Sequence, residues 1–254
     1  MARPSSGLWS TLSGCCALAV FSVLLLLAAV LALVVPGLSW RRSLIRRFAR
    51  MGLMVLGLEV AVRGEDHLPA GSCVVVANHA SYLDGIVLKA VLPPRFSFVI
   101  KREAATLPVA GLLMRRIGSE FVDRFNRGGR QSAARRVIRR VEEGHSLVFF
   151  PEGTFTAEPG LRRFHVGAFV AAARAQQPLV PVVIRGARRS MPSGAIVPRT
   201  GRIEVDILEP LIPSDSRHAA EELRHEARRR MLARLDEPDL DLRAAASVPE
   251  ATGA

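Results

Sequence analysis

Short apolar runs alternate with helical stretches along most of the chain from residue 60 onward. Six runs have the length and the β-branched or aromatic content of strands: SCVVVAN, FSFVI, EFVD, SLVFFP, PLVPVVIRG and RIEVDIL. Most are followed by amphipathic or apolar stretches of helical length, such as GIVLKAVL and LPVAGLLMRRI. This alternation predicts an α/β domain with a mixed, largely parallel sheet flanked by helices. Ligands of such sheets bind at the carboxyl ends of the strands.

The beginning of the chain has a different pattern. No charged residue lies between Arg3 and Arg41, and the run from Cys15 to Pro36 is apolar almost throughout. It is long enough to cross a hydrocarbon layer of about 30 Å, so we predict a transmembrane or membrane-embedded helix. A secretory signal is the rival interpretation, but its apolar core would be shorter and its positive charge would precede that core.

Positive charge follows this run instead. Five arginines lie within a short distance after it: Arg41, Arg42, Arg46, Arg47 and Arg50. They predict that the downstream domain is cytoplasmic. The next stretch, SLIRRFARMGLMVLGLEV, either lies in the interface as an amphipathic helix or forms a second, shallow membrane helix. We therefore expect an anchor with an interfacial helix over residues 1–58, a globular domain over 59–235 and a disordered tail over 236–254.

The net charge of +12 and the sequence pI near 11.3 point to nucleic acid or an anionic membrane as partner. A nucleic-acid partner is not expected, because the chain offers one tyrosine and two tryptophans in the anchor region and hence no stacking platform. The cysteines and histidines show no metal-ligand spacing, so we expect no metal. The preference for arginine over lysine is typical of GC-rich genomes and suggests a bacterial inner membrane.

The stretch VVVANHASYLDG, residues 74–85, carries the first candidate chemistry. His79 and Asp84 are five residues apart, which is about 140° around a helix, so they would not share one helical face. If Asn78 and His79 end the strand and the helix begins near Ser81, the imidazole can fold back onto the carboxylate. Asp84 would then hold one ring nitrogen as a donor and leave the other as a base. Local hydrogen bonding in a turn is the structural alternative.

Two further strand ends carry polar residues. In SLVFFPEGTF the strand is followed by Glu152, Gly153 and Thr154, which can hydrogen-bond the hydroxyls of a polyol or simply form a strand-to-loop turn. KREAATLPVAG begins with Lys101, one of only two lysines in the chain. Lys101 can bind phosphate or stabilise an oxyanion, and the alternative is a surface cation.

In this order, Asn-His-(four residues)-Asp, Lys-x-Glu followed by Pro and Gly, EFVDR, FPEGT and LVPVVIRG resemble the glycerolipid and lysophospholipid acyltransferase family over roughly residues 60–210. The resemblance implies that residues 59–235 are an acyltransferase domain. Its expected reaction moves a fatty acyl group from acyl-CoA or acyl carrier protein to a lysoglycerolipid, by default 1-acylglycerol-3-phosphate, with no cofactor. His79 would be the general base and Asp84 its orienter. The substrate-binding set would include Asn78, Lys101, Glu152, Gly153 and Thr154.

The chain departs from this family at one position. Many members follow Glu-Gly-Thr with an arginine for the acceptor phosphate, whereas this chain has Phe155. We expect another arginine to supply the charge: Arg124, Arg162, Arg163 or Arg185. A different lysolipid acceptor, a membrane lipid or thioester hydrolase, and a non-enzymatic basic membrane protein remain the alternatives.

Overall fold

The computed structural model describes residues 6–122 and 127–242, with side chains described for all of these except residues 6–13, 15 and 127–130. The strands in these ranges are β1 (Leu58–Arg63), β2 (Val74–Ala77), β3 (Ser97–Lys101), β4 (Glu120–Val122), β5 (Leu147–Phe149), β6 (Leu179–Arg185) and β7 (Gly201–Ile207). The helices are α1 (Ser6–Val34), α2 (Leu38–Val55), α3 (Leu83–Val91), α4 (Pro108–Arg116), α5 (Arg127–Glu142), α6 (Gly167–Arg174), α7 (Ala187–Ser190) and α8 (Ala219–Leu232). The predicted strand and helix alternation is confirmed from β2 to β7, whereas β1 is not among the six predicted strands.

The strands form one sheet in the order β1-β7-β6-β2-β5-β3-β4. All neighbouring pairs are parallel except β6 and β7, which are antiparallel. Helices α3, α4, α5 and α6 connect the parallel strands, whereas only the single turn of α7 and a loop lie between β6 and β7. The sheet is therefore mixed and largely parallel, as predicted. Its topology brings β2, β5 and β3 side by side, so their carboxyl ends share one edge.

Two apolar cores cover the two faces of the sheet. Residues of α2 and α3 pack with Val75 and Val182 on one face, and residues of α5, α6 and α8 pack with Val74 and Val183 on the other. Successive strand residues point to opposite faces, so a strand buried on both sides is apolar at every position. This is why β2 reads VVVA and why its four residues are all buried.

The two N-terminal helices form a pair that packs against the domain; we call it the α1–α2 hairpin. α1 buries alanines against α2 and α4, in a cluster with Ile45, Leu113 and Ile117. The opposite face of α1 is exposed and apolar: Val20, Val23, Leu26, Leu27, Val30, Leu33 and Val34. Among the described residues, α1 is the one helix whose length and composition suffice to cross a membrane, over Cys16–Val34, and 17% of its most apolar window is buried.

Arginines fasten this hairpin to the domain. Arg116 of α4 donates to the carbonyl oxygens of Ala32 (3.0 Å) and Leu33 (2.8 Å) at the end of α1. Arg46 and Arg50 of α2 donate to carbonyl oxygens at the end of α3. Helix ends leave such carbonyls without helical partners, and cations are favourable there. The arginines after the apolar run therefore bind protein as well as facing outward.

The described end of the chain contacts the globular domain. Residues 236–242 belong to the stretch that the sequence analysis assigns to a disordered tail. Arg228 of α8 forms two hydrogen bonds with the Asp239 carboxylate (2.6 and 2.7 Å), and Glu237 pairs with Arg188 at 3.0 Å. Leu240 donates its backbone N–H to Leu161 O at 3.1 Å. These long-range ion pairs have no local sequence signal, and residues 243–254 lie outside the described part.

Candidate active site

Three of the polar motifs seen in the sequence follow three adjacent strands. His79 lies just after β2, Glu152 just after β5, and Lys101 is the last residue of β3. Because β2, β5 and β3 are neighbouring parallel strands, these motifs meet at one edge of the sheet. The structure therefore brings together His79 and Glu152, which are 73 positions apart in the sequence, and places Lys101 at the same edge.

His79 and Asp84 are in direct contact. The Asp84 Oδ2 atom accepts the backbone N–H groups of Ala80 (2.6 Å) and Ser81 (2.8 Å) and lies 2.9 Å from His79 Nδ1. Asp84 is fully buried in the first turn of α3, where the helix dipole favours a carboxylate. An ionised carboxylate only accepts hydrogen bonds, so Nδ1 carries the proton and Nε2 keeps its lone pair. This is the arrangement of a base with its orienting carboxylate.

Aromatic rings fix the imidazole on its other sides. The His79 ring stacks on Phe150 with centroids 4.2 Å apart, and Phe155 meets its edge at 4.7 Å. Phe155 also contacts Tyr82 edge to face at 4.7 Å. The His79 side chain keeps 19% of its surface exposed, so it is held in place but remains reachable. Phe155, which stands where the family pattern has an arginine, thus belongs to the wall around the base.

Both carboxylate oxygens of Glu152 bind backbone N–H groups in this structure, and its contact with substrate hydroxyls stays a prediction. Its Oε1 accepts the backbone N–H of His79 (2.7 Å), and its Oε2 accepts the backbone N–H of Arg162 (2.9 Å). Only 4% of Glu152 is exposed. Burial raises the pKa of this carboxyl to about 7, although the two backbone hydrogen bonds favour its ionised form. Glu152 therefore ties the end of β2 to the loop after β5.

A cavity of about 860 Å³ opens beside His79 and is lined mainly by apolar side chains. We call the part of the cavity beside His79, where Lys101, Gly153 and Thr154 also line it, the mouth, and the part beside Lys89, Phe98 and Ile117 the far end. The walls between come from α1, α2, α3 and α4: Phe21, Leu24, Leu25, Ala28, Ile45, Phe48, Ala49, Gly85, Ile86, Leu107, Ala110, Leu113 and Met114. The size and the lining are typical of a site for a largely apolar ligand.

Other predicted site residues lie elsewhere. Asn78 is buried, and its side-chain amide exchanges two hydrogen bonds with the Ile184 backbone (2.7 and 2.9 Å), so it joins β2 to β6 instead of lining the cavity. Arg185 does not line the cavity either. Its cross-strand neighbour is Glu204, and its guanidinium binds Glu204 and Asp206 at 2.9 and 2.8 Å. Arg124 lies outside the described residues.

Two cavity features escaped the sequence analysis. Lys89 lies at the far end, and its only sequence signal is a single lysine inside the apolar stretch GIVLKAVL. α1 forms part of the wall, which the apolar pattern alone cannot distinguish from a separate anchor. Within the described ranges, no group of three His, Cys, Asp or Glu side chains is placed to hold a metal ion.

Comparison with known proteins indicates the acyltransferase family. The sequence profile of the family described as Acyltransferase matches residues 59–185. The chain is 32% identical over 212 residues to 1-acyl-sn-glycerol-3-phosphate acyltransferase alpha of Homo sapiens, covering 79% of this chain and 75% of that protein. It is 31% identical over 167 residues to the chloroplastic 1-acyl-sn-glycerol-3-phosphate acyltransferase BAT2 of Brassica napus, covering 65% of this chain.

The chain spans about half the length of the Brassica napus protein, 48%. Among solved structures, the fold is similar to the 1-acyl-sn-glycerophosphate acyltransferase PlsC from Thermotoga maritima. The TM-score is 0.74 at 22% sequence identity, and the match covers 88% of this chain and 93% of that one.

Proposed function

Because the chain belongs to the acyltransferase family, we propose that it transfers a fatty acyl group from acyl-CoA or acyl carrier protein to the hydroxyl of a lysoglycerolipid. The default acceptor is 1-acylglycerol-3-phosphate, which the names of the relatives indicate. One observation carries the proposal: the His79–Asp84 pair stands at the mouth of an apolar cavity large enough for an acyl chain.

The proposed reaction needs only groups of this chain and its two substrates. His79 Nε2 takes the proton of the acceptor hydroxyl as the oxygen attacks the thioester carbonyl. The new C–O bond forms, the C–S bond breaks, and the leaving thiolate receives the proton from the imidazolium. Asp84 stabilises the transient positive charge of the ring. Lys101, which lines the cavity together with His79, stabilises either the carbonyl oxygen or the acceptor phosphate in this proposal.

The charge for an acceptor phosphate has to come from the mouth of the cavity. Phe155 provides none, Arg185 is engaged with Glu204 and Asp206, and Arg163 is exposed. Arg162 is half-buried next to the Glu152 tether, and its guanidinium donates to Thr154 O at 3.2 Å. Among the described candidates we therefore propose, for the predicted phosphate-binding role, Lys101, which lines the mouth, and Arg162, which does not line it but contacts Thr154, which does.

The membrane has a direct part in this proposal. Both the acyl chain and the lysolipid partition into the bilayer, and the exposed apolar face of α1 offers a surface for the same phase. Trp40, at the start of α2, is 73% exposed, as expected for an interfacial tryptophan. We propose that the α1–α2 hairpin anchors the protein in a bacterial inner membrane with the domain on the cytoplasmic side.

The test is product analysis with both thioester donors crossed with a panel of lysolipids. We expect diacyl product and free thiol in equal amounts, with lysophosphatidate as the preferred acceptor. Thiol release that needs no acceptor would contradict transfer and support a hydrolase. Preference for an uncharged lysolipid would contradict the assigned roles of Lys101 and Arg162.

Substitution of Gly85 tests the assignment of the cavity to the acyl chain. Gly85 lines the cavity, and a Cβ atom added there meets no atom within 4 Å. Gly85→Leu should therefore narrow the cavity without straining α3, where leucine is also the better helix former. We expect kcat/KM for a palmitoyl donor to fall at least about tenfold while that for a butyryl donor changes little. Equal losses with both donors, measured in the same assay, would place the acyl chain elsewhere.

A triple serine variant of α1 tests the contact with the membrane. Val23, Leu26 and Val30 lie on the exposed face, so replacing all three with serine should weaken binding to anionic vesicles at least about tenfold. Transfer between short-chain soluble substrates should be retained, because these residues do not line the cavity. Ile212→Ser, at a position 70% exposed outside the hairpin, is the matched control. Binding is measured by flotation with the vesicles. If the triple variant floats with them as the wild type does, the exposed face of α1 is not the membrane contact.

A further inference from the structure

Lys89 places an amine in the apolar cavity. Successive turns of α3 present Tyr82, Gly85, Ile86 and Lys89 to the cavity, and only 8% of Lys89 is exposed. Its Nζ atom lies 5.6 Å from the ring centroid of Phe98. Across the described ranges, no hydrogen bond or carboxylate partner of Lys89 Nζ is found. A lysine at such a position is costly to bury unless its amine finds a partner.

The surroundings of Lys89 favour an oxygen ligand. The charged groups nearest to it are Arg42 and Arg46 of α2, and both are cations. Arg42 donates to the Ile117 and Arg95 carbonyls and to Ser97 Oγ, and Arg46 to carbonyls at the end of α3. Burial and these two arginines lower the pKa of Lys89 to about 7. In either protonation state the group donates hydrogen bonds, and nothing described around it accepts them.

The depth of Lys89 in the cavity follows from two elements that run from the mouth to the far end. Tyr82, the residue just before α3, and Lys89 are seven residues apart, a rise of about 10 Å between their Cα atoms. Lys101 and Phe98 are three residues apart on β3, which is also about 10 Å. With C–C bonds of about 1.5 Å, an extended acyl chain advances about 1.25 Å per carbon, so about eight to ten carbons that start beside His79 cover this depth.

We propose that Lys89 forms a binding site for a hydroxyl oxygen carried on the acyl chain, about eight to ten carbons from the thioester carbonyl. This rests on the proposed function, in which the cavity holds the acyl chain. The hydroxyl accepts a hydrogen bond from the amine and makes the cavity selective for oxygenated acyl groups over plain chains of the same length. Leaving a buried donor without a partner is what disfavours the plain chain.

Three thioester donors of one chain length test this site: decanoyl, ω-hydroxydecanoyl and α-hydroxydecanoyl. We expect kcat/KM for the ω-hydroxy donor to exceed that for decanoyl about tenfold, and the α-hydroxy donor, whose oxygen stays at the mouth, to gain nothing. Lys89→Met should abolish the preference, whereas Ile86→Met, on the same wall, should keep it. Equal rates for the ω-hydroxy and plain donors in the wild-type protein, or an unchanged preference in Lys89→Met, would overturn the proposal.

Equilibrium binding separates this inference from the proposed reaction. The S-decyl and S-(ω-hydroxydecyl) thioethers of pantetheine cannot transfer an acyl group, and calorimetry should show about tenfold tighter binding of the hydroxylated one. That result without any turnover would contradict the acyltransferase proposal and leave the Lys89 site standing. Turnover together with equal binding of both thioethers would support the acyltransferase proposal and contradict the Lys89 site.

Stability gives a second readout. The folded-state pKa of Lys89, about 7, lies below its ordinary 10.5, so the unfolded chain binds more protons between these values and burial costs stability increasingly as the pH falls. Lys89→Met should therefore unfold at a higher temperature than the wild type, with a difference that grows from pH 10 to pH 7. A lower unfolding temperature for Lys89→Met at pH 7 would mean that protein groups already satisfy the amine, against the proposal.

Discussion

Replacing His79 with alanine should reduce kcat/KM for acyl transfer by at least about 10³-fold. A lipid hydroxyl is a poor nucleophile at neutral pH, and the His79 ring is held by Asp84 at Nδ1 and by the stacked ring of Phe150, which leaves Nε2 as the nitrogen that can accept the proton. Rates of diacyl product formation with saturating and subsaturating acceptor measure the effect. The loss should appear mainly in kcat, since alanine leaves the apolar wall for the acyl chain in place.

Two controls make the His79 result specific. Membrane association should not change, because His79 lies outside the α1–α2 hairpin. His225→Ala, at an exposed position on α8, should retain full activity and shows whether loss of any histidine matters. A folded His79→Ala protein that turns over at the wild-type rate would refute the assignment of the base.

Replacing Asp84 with asparagine should lower kcat by about 10²-fold or more while KM for the donor changes little, because Asp84 does not line the cavity. An amide oxygen in the place of Oδ2 can still accept from Ala80, Ser81 and His79. It carries no charge, however, so the imidazolium that forms during transfer loses its stabilisation. The amide NH₂ would occupy the position of Oδ1, which is buried and has no hydrogen-bond partner in the described part of the chain.

The stability of Asp84→Asn has to be measured alongside its kinetics. A buried NH₂ without an acceptor costs about 1–3 kcal/mol, which an unfolding curve in denaturant will show. A variant that is folded and keeps wild-type kcat would mean that the contact between His79 and Asp84 is structural only. A rise in KM with unchanged kcat would instead indicate that Asp84 shapes the binding of substrate.

The elements and the edge of the sheet that carries the site were predictable, because strand and helix periods are local properties of the sequence. His79 and Asp84 could also be paired from the sequence, since the turn that joins them is six residues long. Their contact depends on one condition, a helix that begins after His79, and α3 begins at Leu83.

The contacts of Glu152, Arg185 and Lys89 could not be predicted from the sequence, because their partners are distant along the chain. The role of Glu152 depends on the backbone N–H of His79, which lies 73 positions away. Arg185 has the charge expected for a phosphate site, but the antiparallel register of β6 and β7 places Glu204 opposite it. Lys89 is on the apolar side of a short helix, and whether that side meets core or cavity depends on where α1 and α4 pack.

Two faces of α1 meet different surroundings. Val23 and Leu26 are exposed on the outside, whereas Phe21 and Leu24 line the cavity. Along this stretch, the thickness of one helix separates the cavity beside His79 from the surroundings of the protein. Lateral pressure of neighbouring lipid tails on α1 would therefore change the width of the cavity. Extraction into detergent micelles would change its dimensions, so chain-length selectivity measured in micelles and in bilayers should not coincide.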